Sequence, residues 1–277
     1  MQVVRSIAEM KKSRRECAGS VGLVPTMGFL HEGHLALARQ AKSENTVAVA
    51  TIFVNPTQFG PGEDFKSYPR DLDRDLALLK QAGTDIVFVP SDKEMYPGGY
   101  DTWVEVRGIT AKLEGKSRPT HFQGVTTVCN KLFQIIEPDR AYFGQKDAQQ
   151  AIVIQRMVAD LNMNLDIVVC PTIRESDGLA MSSRNTYLTA EERPSAVVLY
   201  KSLCLAKDMY EKGERDAAAI KQAMNSLISG VAAAKIDYIS IADTSTLDEV
   251  EKIRGRVLVS LAVRLGKPRL IDNILLG

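Results

Sequence analysis

The stretch Val21-Gly22-Leu23-Val24-Pro25-Thr26-Met27-Gly28-Phe29-Leu30-His31-Glu32-Gly33-His34-Leu35-Ala36-Leu37-Ala38 decides how the chain reads. Val21 to Val24 form an apolar run that predicts a buried strand, and Pro25, with no amide to give a ladder, is expected to end its pairing. Thr26, Met27 and Gly28 make a turn. From Gly33 onward, Leu35, Leu37 and Ala38 mix with Ala36 and Arg39 in a helical pattern. The order is therefore strand, tight turn, helix, with His31 and His34 where the helix begins. Residues three apart share a helix face, so the two imidazoles can point the same way. They sit beside backbone N–H groups that lack partners inside the helix, at the positive end of its dipole, where a phosphate would bind. Two of the chain's three histidines fall in this short span. Paired histidines also serve zinc, but the zinc protease motif places the second histidine one residue later, and no clear third ligand follows.

Outward from this stretch, strand and helix patterns alternate. Residues 6–16 predict a helix. Thr46 to Val54 is a β-branched apolar run consistent with a second buried strand. It ends in the loop Asn55-Pro56-Thr57-Gln58-Phe59-Gly60, which continues through 61–68. A helix is expected from Pro69, where proline suits a first turn, to Gly83, and a strand from Asp85 to Pro90. Residues 102–107, which carry the single tryptophan Trp103, predict a short strand. Val125 to Ile136 has helical spacing, and Arg140 to Phe143 reads as a strand. Gly144-Gln145-Lys146-Asp147 leads into a further helix through Ile152, Ile154, Met157 and Val158, followed by a strand over Leu165 to Cys170. This alternation predicts an α/β fold: a Rossmann-like, mostly parallel sheet with helices on both faces. Beyond a polar, irregular segment, Thr172 to Leu188, the pattern changes. Helices over about 190–211 and 215–229 precede strands at 235–241, 256–263 and 269–275, the last two joined by the turn signal Gly266-Lys267-Pro268. The expected domains are 1–172 and a smaller, lid-like C-terminal α+β domain, 173–277.

Length and composition agree with a globular protein. The 277 residues are long for one core, and 45% hydrophobic with 25% charged residues is ordinary. A net charge of +1 offers no electrostatic case for binding nucleic acid or a membrane. No run of ~18 apolar residues appears, and the N-terminus lacks a signal-peptide core. Cys17, Cys129, Cys170 and Cys204 are far apart, with no Cys-x-x-Cys, and read as reduced thiols of a cytoplasmic protein. Gly115-Lys116-Ser117 is not a phosphate-binding P-loop, because Thr110 stands where that motif needs a glycine.

Ligands of parallel α/β sheets bind at the carboxyl ends of the strands. The segments Pro25–His34, Asn55–Gln58, Gly144–Asp147 and Ile173–Arg184 each follow a predicted strand, so all four polar clusters are expected on one edge. Together they could support attack on a nucleotide phosphate, where catalysis is mostly positioning and charge stabilisation. His31 and His34 can hydrogen-bond phosphate, and their protonated forms are expected to be favoured there. Lys146 and Arg184 add permanent charge, and Ser182 and Ser183 add hydroxyl donors. Asp147 could meet a phosphate-borne Mg2+ through water or cap a helix. Gln58 and Gln150 offer amides to hydroxyl and carboxylate groups. Nothing in spacing says that they bind anything.

His31-Glu32-Gly33-His34 resembles the His-x-Gly-His signature of a nucleotidyltransferase superfamily. Four further segments resemble the pantoate–β-alanine ligase family within it: Phe53-Val54-Asn55-Pro56-Thr57-Gln58-Phe59, His121-Phe122-Gln123-Gly124-Val125, Phe143-Gly144-Gln145-Lys146-Asp147-Ala148-Gln149-Gln150, and Arg174-Glu175-Ser176-Asp177-Gly178-Leu179-Ala180-Met181-Ser182-Ser183-Arg184-Asn185. The resemblance implies that ATP, as a substrate with Mg2+, meets Met27, Gly28, Phe29, Leu30, His31, Glu32, Gly33, His34, Gly144, Gln145, Lys146, Asp147, Ile173, Met181, Ser182, Ser183 and Arg184. His34, beside His31, would be the proton donor, with Lys146 and Arg184 as the catalytic cations. Gln58 and Gln150 would hold pantoate, with Asn55, Pro25 and Thr26 in the substrate pocket and Gln58 also near β-alanine. Met181-Ser182-Ser183-Arg184-Asn185 is similar to the Lys-Met-Ser-Lys-Ser loop of the superfamily but lacks its first lysine. The implied reaction condenses pantoate with β-alanine through a pantoyl adenylate, in a homodimer. The rivals are another His-x-Gly-His nucleotidyltransferase acting on a phosphorylated acceptor, and a non-catalytic ATP-binding sensor. Arg118 and His121 either reach the triphosphate or order a loop.

Overall fold

A computed structural model describes all residues, Met1–Gly277. The chain forms two compact units, one of Met1–Gly144 with Gln149–Pro171 and one of Gln145–Ala148 with Thr172–Gly277. The short segment 145–148 thus groups with the C-terminal residues.

The first unit contains β1 (Gln2–Val4), α1 (Ile7–Glu16), β2 (Val21–Thr26), α2 (Glu32–Glu44), β3 (Val47–Ile52), α3 (Leu72–Gln81), β4 (Ile86–Phe88), α4 (Asp92–Met95), α5 (Glu114–Ser117), α6 (His121–Ile136) and β5 (Arg140–Gly144). It continues with most of α7 (Ala148–Asp160) and with β6 (Asp166–Cys170). Every strand pair is parallel, in the order β1-β4-β3-β2-β5-β6. Chain order runs outward from β2 in one direction and restarts at β5 on its other side. The carboxyl ends of β2 and β5 therefore flank the point where the strand order reverses, which is where open α/β sheets bind ligands. Apolar residues of α2 and α3 pack on one face through Leu35, Leu37, Ala38, Ala41 and Leu79. On the other face lies α6, which touches α1 and β2 and is buried over most of its length.

Two sequence expectations change for physical reasons, and one strand is added. Pro25 does not end the pairing of β2, because Pro25 and Thr26 still register with Thr51 and Ile52. Backbone groups of a strand alternate sides. Val21 and, by alternation, Pro25 face β5, whose ladder registers only Gly22 and Leu23, so the missing amide costs no ladder bond. Residues 102–107 are not a ladder strand. Val104 instead gives its N–H to Thr127 Oγ1 at 3.0 Å and accepts from Thr126 Oγ1 at 2.6 Å, so α6 side chains replace a strand partner. Gln2–Val4, too short to show periodicity, forms an edge strand against β4.

The second unit holds α8 (Glu192–Ser195), α9 (Val198–Glu211), α10 (Ala217–Ser229), β7 (Ala234–Asp243), β8 (Val257–Leu265) and β9 (Arg269–Leu276). The single helix expected over 190–211 is two, with Pro194 in the first turn of α8 and the break at Ala196 and Val197. The three strands form an antiparallel sheet in the order β7-β8-β9. Alternate residues of β8, from Val257 to Leu265, join Leu199, Leu203, Ile220 and Met224 in one apolar core.

Candidate functional site

Helix α2 begins with a capping arrangement built from two histidines. His31 is the N-cap, and its Nδ1 accepts from the Gly33 N–H at 3.2 Å. His34 Nδ1 accepts in turn from the His31 N–H at 3.3 Å. The two rings lie with centroids 4.0 Å apart, tilted by 36°. An accepting Nδ1 carries no hydrogen, so in this arrangement each ring proton sits on Nε2. One expectation is revised here. The helix-start amides of His31 and Gly33 are already bonded to imidazole.

The turn before this helix is held by a residue that motif reading missed. Asp75, on α3 and only 1% exposed, accepts from the Phe29 N–H at 2.6 Å and the Leu30 N–H at 2.8 Å. Phe29 has φ +48, a left-handed conformation that a non-glycine residue adopts at some cost, and these bonds hold it there. Arg74 closes the arrangement with a bond to the Leu30 carbonyl at 2.9 Å, and its guanidinium lies 5.2 Å from the Phe29 ring centre. Burial raises the Asp75 carboxyl above its ordinary range, against the lowering effect of the Leu30 and Phe29 amides and Arg74. The available signal was an acidic residue on the apolar stripe between Leu72 and Leu79.

Gln58 lies on the loop after β3 and is buried. Its Oε1 accepts from Asn55 Nδ2 at 3.1 Å, and its Nε2 donates to Met27 Sδ at 3.1 Å. Asn55 also donates to the Gly124 carbonyl at 3.1 Å and accepts from Tyr96 Oη at 2.8 Å, so it brackets Gln58. Thr26 Oγ1 bonds the Thr51 carbonyl and receives the Gly28 N–H. Gly124 is required by proximity: a Cβ there would lie 2.4 Å from the Thr57 carbonyl oxygen.

Arg118 and His121 order this loop. Arg118 pairs with Glu63 through two bonds of 2.7 and 2.6 Å and reaches the Gln58 carbonyl at 3.2 Å. Burial opposes ionisation of Glu63, but the Arg118 bonds and charge outweigh it and hold the carboxyl below its ordinary range. His121 Nδ1 lies 2.9 Å from the same Gln58 carbonyl, which accepts its hydrogen. Burial, reinforced by the Arg118 charge, pushes the His121 imidazolium down to about 4. Of the two glutamines at the start of α7, Gln149 is a staple: it bonds the Glu114 N–H and the Ile109 and Lys112 carbonyls. Gln150 is half-buried beside it.

The second unit carries the remaining predicted residues. Gln145–Asp147 form a single tight turn after Gly144, the last residue of β5. Lys146 Nζ lies 3.6 Å from Asp147 Oδ1, with the lysine mostly buried and the aspartate half exposed. Ile173 accepts from the Met181 N–H at 3.0 Å, and Arg174 bridges Ala180, so the segment expected to be irregular closes as a small hairpin. Gly178 at its tip has φ +97, and a Cβ there would meet the Tyr200 ring at 2.2 Å. Ser182 Oγ caps the following turn by accepting the Arg184 N–H at 3.2 Å, which leaves its own hydrogen to donate. Asn185 ties the hairpin to Glu175 and to the Ala180 carbonyl. The structure thus brings Met27, Asn55 and Gln58 together, pairs His31 with His34, and joins Lys146 to Asp147 and Ile173 to Met181.

The model of the family described as Pantoate-beta-alanine ligase matches residues 2–275. A pantothenate synthetase of Herpetosiphon aurantiacus is 58% identical over 277 residues, covering 100% of both chains. One from Acetivibrio thermocellus is 56% identical over 278 residues, covering 99% of each. Among solved structures, a pantothenate synthetase from Thermus thermophilus matches with TM-score 0.95 at 46% identity over 99% of both chains. A pantoate-beta-alanine ligase from Francisella tularensis, complexed with beta-gamma ATP and beta-alanine, matches with TM-score 0.82 at 38% identity, covering 99% of this chain and 97% of its own.

Two outcomes are expected from these contacts. Asp75→Asn keeps an acceptor for only one of the two turn amides and should destabilise the chain by about 1–3 kcal/mol in chemical denaturation; unchanged stability would remove its anchoring role. The unfolded state protonates His121 near 6.5 and the folded state near 4, so the unfolded chain binds more protons between those values and stability falls as pH drops through that window. The loss should reach on the order of 3 kcal/mol. Denaturation from pH 7 to 4.5 should show a shallower fall in His121→Gln than in the parent, and equal slopes would contradict it.

Proposed function

The chain belongs to the pantoate–β-alanine ligase family, and on that premise we propose that His31, His34, Lys146 and Arg184 act on the phosphates of one ATP. The reaction is the ATP-dependent condensation of pantoate with β-alanine to pantothenate. A free carboxylate is a poor acyl donor to an amine, so activation comes first. A pantoate carboxylate oxygen attacks the α-phosphorus, and pyrophosphate leaves with the electrons of the broken P–O bond. The β-alanine nitrogen then attacks the activated carbonyl and loses a proton, and AMP departs.

The observation that carries this assignment is the imidazole pair, with both Nδ1 atoms engaged by backbone N–H groups. Two prearranged Nε2–H donors stabilise charge that develops on phosphoryl oxygens without first having to reorganise. Lys146 and Arg184 supply permanent charge, and Ser182 and Ser183 supply hydroxyl donors. Met27, Gly28, Phe29, Leu30, Glu32 and Gly33, with Gly144, Gln145, Asp147, Ile173 and Met181, complete the ATP site, without the amides that Thr26, Asp75 and the imidazoles already hold. Gln58, aimed by Asn55, and Gln150 take pantoate, with Pro25 and Thr26 beside them. No group of three or more His, Cys, Asp or Glu side chains stands ready to hold a metal. The donor set fits a Mg2+ brought in with the phosphates, which Asp147 would hold through water and which would supply charge neutralisation to the departing pyrophosphate.

A homodimer in the cytoplasm is the proposed setting. All four cysteines are free thiols, in keeping with a reducing compartment, and no helix is long and apolar enough to cross a membrane. Sedimentation velocity should return twice the chain mass of 30.5 kDa; the single-chain mass would end the dimer proposal.

Mixing the protein with ATP, Mg2+, pantoate and β-alanine should yield AMP, pyrophosphate and pantothenate, and pyrophosphate should not appear without pantoate. His34→Ala and Lys146→Ala should each slow pantoate-dependent pyrophosphate release at least ~10²-fold, about 2.7 kcal/mol of transition-state stabilisation. Near-parental release in either variant refutes that residue's role.

A further inference from the structure

Strand β9 reads Arg269-Leu270-Ile271-Asp272-Asn273-Ile274-Leu275-Leu276, with two adjacent polar residues inside an apolar run. Both are buried. Neighbours on a strand face opposite sides of the sheet, and each of these two holds a different segment. Asp272 pairs with Leu261 on the core side and takes both Arg174 nitrogens, at 2.6 and 3.0 Å. Arg174 is thereby fixed at the base of the 173–181 hairpin, with its guanidinium 4.0 Å from the Tyr200 ring centre.

Asn273 pairs with Ser260 and faces the other way. Its Nδ2 donates to the Gln145 carbonyl and to the Lys146 carbonyl, each at 2.9 Å, and its Oδ1 accepts from Gln145 Nε2 at 2.9 Å. Both amide hydrogens and one acceptor site are therefore spent on consecutive residues of one tight turn. The buried hydroxyls of Ser240 and Ser260, next on the same face, have no hydrogen-bond partner. Asn273 is thus singled out on this face by its connection to the turn rather than by general polarity.

We propose that Asn273 is a positioning residue that holds the backbone of the Gln145–Asp147 turn and so sets where the Lys146 ammonium is delivered. The inference rests on the reading of Lys146 as a phosphate-facing cation. A lysine side chain has four flexible methylenes, so its reach is useful only if its backbone is fixed. Two hydrogen bonds from one amide to successive carbonyls fix the peptide plane between them. Small misplacements of a charge at a reacting centre are costly in rate.

Asn273→Asp tests this with little change in volume. It keeps an acceptor for Gln145 but turns lone pairs toward two carbonyl oxygens. Pyrophosphate release would be measured for the parent, N273D, K146A, the double variant and S260A, with enough enzyme to keep residual rates above background. Catalytic efficiency toward ATP should fall at least ~10-fold in N273D, with the KM for pantoate unchanged. The double variant should be no slower than K146A, because the two residues act in series. S260A should match the parent. Equal further loss from N273D in both backgrounds, as a general structural defect would give, overturns the proposal. So does parental activity of N273D beside an impaired K146A, and that result leaves the role of Lys146 standing. Parental activity of K146A overturns the reading beneath it. If circular dichroism shows that N273D does not fold, N273S, which keeps one donor, takes its place with an intermediate loss expected.

Discussion

The start of α2 sets a constraint that much of the first unit serves. Backbone amides at a strand-to-helix turn must be satisfied, and in this chain side chains satisfy them. Imidazole nitrogens take the amides of His31 and Gly33, and the Asp75 carboxylate takes those of Phe29 and Leu30. A turn bonded in this way cannot also offer the same amides to an anion. What remains at the helix start is a pair of imidazoles 4.0 Å apart and tilted by 36°, with their tautomers chosen by the capping bonds. The cost of a left-handed Phe29 and a buried carboxylate on α3 is offset by that rigidity.

The loop after β3 follows the same rule. Gln58 is held at its side chain by Asn55 and Met27 and at its carbonyl by Arg118 and His121. In the second unit, adjacent residues of β9 do comparable work on opposite faces of one sheet. Asp75, Arg118 and Asn273 all bond backbone groups of the segments they hold, as sites built on rigid elements require.

The family relation is consistent with this arrangement. Matches across nearly the whole chain, in sequence and in solved structures, extend well beyond the His-x-Gly-His motif. The bracket residues Asp75, Arg118 and Asn273 lie outside that motif, in segments whose fit depends on the complete fold.

Local sequence carried the parallel sheet, because the β-branched runs at Val21–Val24, Val47–Ile52 and Asp166–Cys170 differ in period from the helices between them. It also carried the histidine pair, since three-residue spacing at a helix start is a short-range property. Residues 102–107 misled because β-propensity does not say whether a ladder partner exists, and Thr126 and Thr127 of α6 supplied the bonds instead. Asp75 and Asn273 stood out in the sequence only as polar residues in apolar patterns. Their partners lie 45 or more residues away, and which amide or carbonyl each would meet depends on the crossing of elements in three dimensions. The sequence by itself determined the elements, their order and the chemical groups available. The tertiary structure decided which backbone groups side chains such as Asp75 and Asn273 satisfy, because hydrogen-bond geometry between remote segments exists only once they pack.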